Sequence, residues 1–305
     1  MYLATALGLV FLVYFGDMLV HGATQLSRVL KVSDIFIGVI VVGLGTSLPE
    51  ILTAVIAALK DEGGIAVGNV IGSNIANIML ILGLALVLFG PRSLGFEKGR
   101  GDYAMMLIAT AALLAIAALW SSMAWGQGLF LLVLMGAILY RMTHQGRKNF
   151  EIDLDDLTPH STAFMLATKT IMALLGLWLG ADFLVSGASG IAVAFGVPPE
   201  VVGLSIVAIG TSLPELAATI AAFRVGNGQM ILGNVIGSNL LNILAALGIA
   251  SLFTELSFAG MGFSLIAMTF AAVVIMPLFA WPKLSARWVG GLFMLLYVLY
   301  IVSIF

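Results

Sequence analysis

Apolar residues run along this chain in blocks about as long as a bilayer is thick, with polar residues gathered in short breaks between them. A spanning helix needs about 20 mostly apolar residues. Breaks at charged residues, Gly and Pro divide the chain into ten such segments: 2–23, 35–59, 65–89, 102–120, 125–141, 162–185, 199–223, 229–253, 259–280 and 284–304. The pattern predicts an all-α polytopic membrane protein. The first segment lacks a preceding basic stretch and carries Asp17 near its far end, so it reads as a spanning helix and not as a signal peptide. Only 142–161 is a polar connection of any length, with Arg147, Lys148, Glu151, Asp153, Asp155 and Asp156.

With 61% hydrophobic and 9% charged residues and a mean hydropathy of +1.15, the chain is too apolar for a water-soluble globule. Its immediate partner is the lipid bilayer. Thirteen Lys and Arg against 15 Asp and Glu leave no basic excess for nucleic acid. The absence of cysteine excludes disulfides, Cys-ligated zinc and thiol nucleophiles. With an external amino terminus, the inner loops and span ends hold Arg28, Lys31, Arg92, Lys98, Arg100, Arg141, Arg147, Lys148, Arg224, Lys283 and Arg287. The outer connections hold Lys60 alone, and Lys169 sits within the inner end of span six. The positive-inside rule then places both termini outside and 142–161 in the cytoplasm, in a multi-pass protein of the cell membrane.

One phrase occurs twice in this background. Gly45-Thr46-Ser47-Leu48-Pro49-Glu50 returns as Gly210-Thr211-Ser212-Leu213-Pro214-Glu215, and each copy is followed by Gly-Asn-Val-Ile-Gly-Ser-Asn, at 68–74 and 233–239. The spacing between copies is constant from Asp17 and Asp182 to Asn77 and Asn242 and beyond. Shared hydrophobicity would not preserve Pro, Glu, Asn and Ser together, so the chain is a duplicated five-helix unit. The expected organisation is a first repeat at 1–141, a cytoplasmic linker at 142–161 and a second repeat at 162–305. Because five is odd, the second copy enters the membrane from the opposite face, giving the inverted repeats expected of alternating-access transporters with a site near the midplane.

The repeated residues suit hard cations. A carboxylate at bilayer depth costs several kcal/mol unless it lines a cavity or meets a cation. Pro49 and Pro214 lack an amide hydrogen and crowd the carbonyl four residues earlier, which loosens a turn and frees oxygens around Gly43 to Gly45 and Ala208 to Gly210. Thr46, Ser47 and Glu50 share one helical face, as do Thr211, Ser212 and Glu215. Ser73 with Asn77 and Ser238 with Asn242 are each four apart and add further oxygens. Gly68, Gly72, Gly233 and Gly237 are expected to let helices approach closely. Oxygen-only ligation favours Ca²⁺ and alkali cations over Zn²⁺ or Cu²⁺. Two glutamates balance one Ca²⁺ or two monovalent ions, so competition at one shared site is the simplest basis for exchange.

These residues closely resemble the two alpha-repeats of the sodium/calcium exchanger family, within the cation/calcium antiporter superfamily. The resemblance covers both repeats, with G-T-S-x-P-E and G-S-N-x-x-N in order. It implies a ten-helix antiporter for Ca²⁺ and Na⁺, without a cofactor or an obligate protein partner, in which helices one and six slide against a core carrying the site. Carried over, the ligands fall on Thr46, Ser47, Glu50, Ser73 and Asn77, and on Thr211, Ser212, Glu215, Ser238 and Asn242, with carbonyls of Gly43 and Ala208 at outlying Na⁺ positions. Several exchangers carry aspartate where this chain has Asn242. The two halves here are symmetric in that respect, which leaves both Na⁺ and H⁺ open as the coupling ion.

Blander roles compete at each position. Ser73, Ser238, Asn77 and Asn242 also suit interhelical packing, and the Thr and Ser hydroxyls could bond back to the preceding turn. Asp17 and Asp182 lie toward span ends and suit a structural or gating role. A cation channel is the rival function from another class, distinguished by flux that needs no counter-ion. An intramembrane serine hydrolase is disfavoured, because the three histidines lie outside the repeated motifs. Asp153, Asp155 and Asp156 match the start of an EF-hand loop, but the required Gly and distal Glu are missing.

Overall fold

The computed structural model describes residues 1–148, 162–196, 210–281 and 287–304, and nearly all of them are helical. In chain order the helices are α1 (Tyr2–Leu30), α2 (Asp34–Thr46), α3 (Leu48–Leu59), α4 (Gly63–Phe89), α5 (Arg100–Leu119), α6 (Trp125–Lys148) and α7 (Ala163–Ala194). They continue as α8 (Leu213–Arg224), α9 (Gly228–Ala250), α10 (Gly262–Ala280) and α11 (Arg287–Ile304). Among the described residues, 8 helices are long and apolar enough to cross a membrane, and the bent pair α2 and α3 makes a ninth span. The expected segment 199–223 is described only in its second half, α8, so the ten-span count rests on residues outside the description.

Several helices outrun the apolar segments. α1 continues to Leu30, α6 to Lys148 and α7 to Ala194. Polar residues at a helix end can remain helical while leaving the hydrocarbon, so apolarity marks the membrane-embedded part and not the helix. α1 stops where Lys31 turns left-handed (φ 53°), and α2 starts on Ser33, whose hydroxyl accepts the Phe36 amide. The Thr162 and Asn227 side chains cap α7 and α9 in the same way.

Burial separates a central group from an outer pair. The apolar window of α9 is 100% buried and that of α4 78%, against 28% for α1 and 33% for α7. The motif-bearing helices therefore form the protein's interior, while α1 and α7 pack along each other and turn large side chains such as Leu9, Tyr14, Ile171 and Leu179 outward. Their crossing is close at Gly8, whose α-carbon lies against the Gly180 carbonyl and the Leu184 backbone, with no room for a side chain.

At the interior crossing of α2 and α9, Gly233 and Gly237 lie directly against the α2 backbone at Ile35, Gly38 and Val39, as expected. Gly68 and Gly72 differ: Gly68 meets only the Met261 methyl at ordinary distance, and Gly72 has no close neighbour among the described residues. A two-residue antiparallel pairing, Ser122 with Ser257 and Met123 with Leu256, ties the α5–α6 connection to the α9–α10 connection.

Candidate cation-binding site

The site begins at two backbone breaks with the same local geometry. Between α2 and α3 the chain bends by 44°, and Ser47 sits at φ −85°, ψ 1°. Ser212, at the start of α8, sits at φ −88°, ψ 4°. In each case proline occupies the first turn of the following helix, where its missing N–H costs nothing and its fixed φ suits a helical start. Glu50 and Glu215 stand in those first turns, where unpaired amides and the helix dipole favour negative charge.

Both glutamates are enclosed, Glu50 at 0% and Glu215 at 1% exposure. Hydroxyls cross from one repeat to the other. Ser47 Oγ donates to Glu215 Oε1 at 3.1 Å, and Ser238 Oγ lies 3.4 Å from the same oxygen. The Thr46 hydroxyl also crosses, donating to Asn234 Oδ1 at 3.2 Å. Thr211 stands half-buried beside Ser212 at the second break.

Ser73 and Asn77 on α4, and Ser238 and Asn242 on α9, are all buried. Both asparagines lie at the start of a π-helical stretch, Asn77 as the second residue of Ala76–Leu82 in α4 and Asn242 as the first of Asn242–Leu247 in α9. Such stretches widen the hydrogen-bond ladder and are frequent at functional positions. The stretch after Asn242 packs on α3, which carries Glu50, and the stretch containing Asn77 packs on α8, which carries Glu215. Among the described residues, five acceptor oxygens enclosed here have no hydrogen-bond partner: both of Glu50, Oε2 of Glu215, and Oδ1 of Asn77 and of Asn242.

The remaining expected ligands are placed unevenly. The Gly43 carbonyl takes the Ser47 amide at 3.0 Å and lies 3.4 Å from Thr46 Oγ1 and 3.5 Å from Ser238 Oγ. It is therefore at the site but already shared. Ser212 is buried at the second break, and Ala208 lies outside the described residues. Gly45, whose carbonyl Pro49 leaves without its helical donor, receives instead the Trp178 indole N–H of α7 at 3.1 Å. Asp153, Asp155 and Asp156 fall outside the description. Asp17 pairs with Arg224 at 2.7 Å, linking α1 to the end of α8.

Four asparagines of the repeated phrase enter the architecture although the sequence reading gave them no role. Asn69 Nδ2 donates to the Glu50 carbonyl at 3.2 Å, and Asn234 Nδ2 to the Glu215 carbonyl at 3.4 Å. Asn74 Nδ2 donates to the Asn239 carbonyl at 3.2 Å, and Asn239 Nδ2 to the Val235 carbonyl at 2.7 Å. Their presence in both copies of the phrase was the available signal. Trp178 had none, since the position equivalent to it in the first repeat is Val13.

The sequence profile described as "sodium/calcium exchanger protein" matches residues 1–144 and 166–305. Over 302 residues the chain is 37% identical to a membrane protein, MJ0091, of Methanocaldococcus jannaschii, covering 98% of this chain and 96% of that one. It is 29% identical to the sodium/calcium exchanger MaX1 of Methanosarcina acetivorans, covering 100% and 98% respectively. Its fold superposes on that of the sodium-calcium exchanger NCX_Mj, soaked with 10 mM Na⁺ and zero Ca²⁺, with a TM-score of 0.82, 33% identity, and coverage of 98% of this chain and 97% of that one.

Proposed function

The chain belongs to the sodium/calcium exchanger protein family and is a cation/Ca²⁺ antiporter of the membrane, and from that premise we propose that it exchanges Ca²⁺ for Na⁺ by alternating access at a site built on Glu50 and Glu215. The observation that carries this reading is the set of five buried, unpartnered acceptor oxygens on Glu50, Glu215, Asn77 and Asn242. An unmet buried polar atom costs about 1–3 kcal/mol, and more when it is charged. A cation coordinated by these oxygens removes that cost for all of them at once.

In this reading Thr46, Ser47, Ser73, Thr211, Ser212 and Ser238 supply neutral oxygens around the two carboxylates, with carbonyls of Gly43 and Ala208 at the periphery. Two negative charges hold either one Ca²⁺ or two Na⁺, so the two loads exclude each other. That exclusion couples the opposing fluxes. The protein is organised as inverted five-helix units, 1–141 and 162–305, joined by 142–161, in the cytoplasmic membrane with both termini external. α1 and α7, which are far less buried than the motif-bearing α4 and α9, are the pair that moves against the interior group.

H⁺ is the second coupling ion to test, favoured by Asn242, which leaves the site two carboxylates that two protons would also neutralise. Uptake of radiolabelled Ca²⁺ into proteoliposomes decides between them. An outward Na⁺ gradient is expected to drive uptake at clamped pH, and an outward H⁺ gradient without Na⁺ is not. Uptake that needs neither counter-ion would make the protein a channel.

A further inference from the structure

Asn242 cannot ionise, and an amide presents an oxygen on one side and an N–H₂ on the other. To act as a cation ligand it must be held the right way round. A carboxylate has no such requirement, since both of its ends are oxygen.

We propose that Asn74 is a positioning residue that sets the Asn242 amide with its oxygen toward the cation, an assignment that rests on the site described under the proposed function. The chain of reasoning starts at the Asn239 backbone carbonyl, which can only accept. Asn74 must therefore turn Nδ2 toward it, at 3.2 Å. Met268 Sδ, a weak acceptor 3.9 Å from the same nitrogen, suits that orientation as well. Asn74 Oδ1 consequently faces the other way and can only accept in its turn. It takes Asn242 Nδ2 at 3.2 Å. The atom left over is Asn242 Oδ1, which is buried and has no partner among the described residues. One backbone carbonyl thus orients two side-chain amides in sequence.

The device is present on one side only. Asn239, which repeats Asn74, donates to Val235 within its own helix, and Asn77, which repeats Asn242, has no partner on either amide atom among the described residues. The oxygen at 242 is therefore preorganised as a neutral ligand, whereas the amide at 77 has no such orienting bond among the described residues.

The test is a double-mutant cycle read by calorimetric Ca²⁺ titration of the purified, monodisperse protein. Asn74→Ala is expected to weaken Ca²⁺ binding roughly five- to tenfold in the native background, because an unoriented or mispaired buried amide carries a cost of that order. In an Asn242→Ala background it should add less than about twofold, there being no amide left to orient. Asn74→Ser, which keeps a small polar side chain, takes the place of the alanine variant if that variant is not monodisperse. An equal loss in both backgrounds would make Asn74 a packing residue and overturn the proposal, as would no loss in either. Glu215→Gln, titrated alongside, separates the two levels: native Ca²⁺ affinity in that variant sinks the site itself and the role of Asn74 with it, whereas a defect there with an additive cycle sinks the role of Asn74 alone.

Discussion

Ser47 in the first repeat donates its hydroxyl to Glu215 in the second at 3.1 Å, across 168 residues of sequence. The second copy of the repeated phrase is therefore incomplete by itself, since its carboxylate is held by a hydroxyl of the first. Ser47→Ala is expected to raise the KM for Ca²⁺ at least ~10-fold, since a hydrogen bond to a charged group contributes about 1.5–3 kcal/mol. Ser47→Thr, which keeps the hydroxyl, should recover most of the loss. Initial rates of Ca²⁺ uptake over a range of Ca²⁺ concentrations measure both.

Glu50→Gln and Glu215→Gln preserve size while each removing half of the site's formal charge. Ca²⁺ affinity depends steeply on the number of charged ligands, and exchange should fall at least ~100-fold in either variant. Expression and elution on size exclusion should be unchanged. Transport at native rates in both variants would make the glutamates structural.

Asn242→Asp introduces a third carboxylate, whose charge must be matched by a further cation or a proton. The variant is expected to change the Na⁺ dependence or the pH profile of Ca²⁺ uptake. Asn77→Asp should act similarly from the other repeat, but not identically, because only Asn242 is held by Asn74. Unchanged Na⁺ dependence, pH dependence and Ca²⁺ affinity in both would remove spans three and eight from the site.

The Asp17–Arg224 pair joins α1 to α8 with side chains 31% and 51% exposed. Exposed ion pairs are worth about 0–1 kcal/mol. Arg224→Gln should therefore leave folding intact and alter the exchange rate by less than ~5-fold, through the contact between the outer pair and the interior group. The charge-swapped double variant, Asp17→Arg with Arg224→Asp, should return the rate toward native. A rate loss that the swap deepens would show that Asp17 acts elsewhere.

The native chain has no cysteine, so single introduced cysteines report sidedness directly. Lys60→Cys is expected to react with an impermeant maleimide added outside intact cells, and Lys31→Cys only after permeabilisation. Both positions are exposed ends of helices. The reverse labelling would invert the orientation deduced from the basic residues.

What the sequence determined by itself were properties that depend on local composition and on comparison of the chain with itself. Span positions follow from the length of apolar runs, because a backbone in hydrocarbon must satisfy its hydrogen bonds within one helix. The breaks at Ser47 and Ser212 follow from Pro49 and Pro214, and the two have nearly the same dihedral angles because their sequences are the same. Glu50 and Glu215 stood out because a buried acid needs a partner.

Only the tertiary structure decided which groups meet. Asn74 and Asn239 occupy equivalent places in an identical seven-residue phrase, yet Asn74 reaches the other repeat's backbone while Asn239 turns back on its own helix. Gly45 and Gly210 stand in the same motif, but the first packs against Leu174 and the second against Val185 of α7. A repeat specifies the same local conformation twice. It cannot specify the same environment twice, because each copy packs against neighbours whose sequences have diverged. The Trp178 bond to the Gly45 carbonyl has no counterpart in a helix that carries Val13 instead, and contacts of this kind make two like halves into one unlike pair.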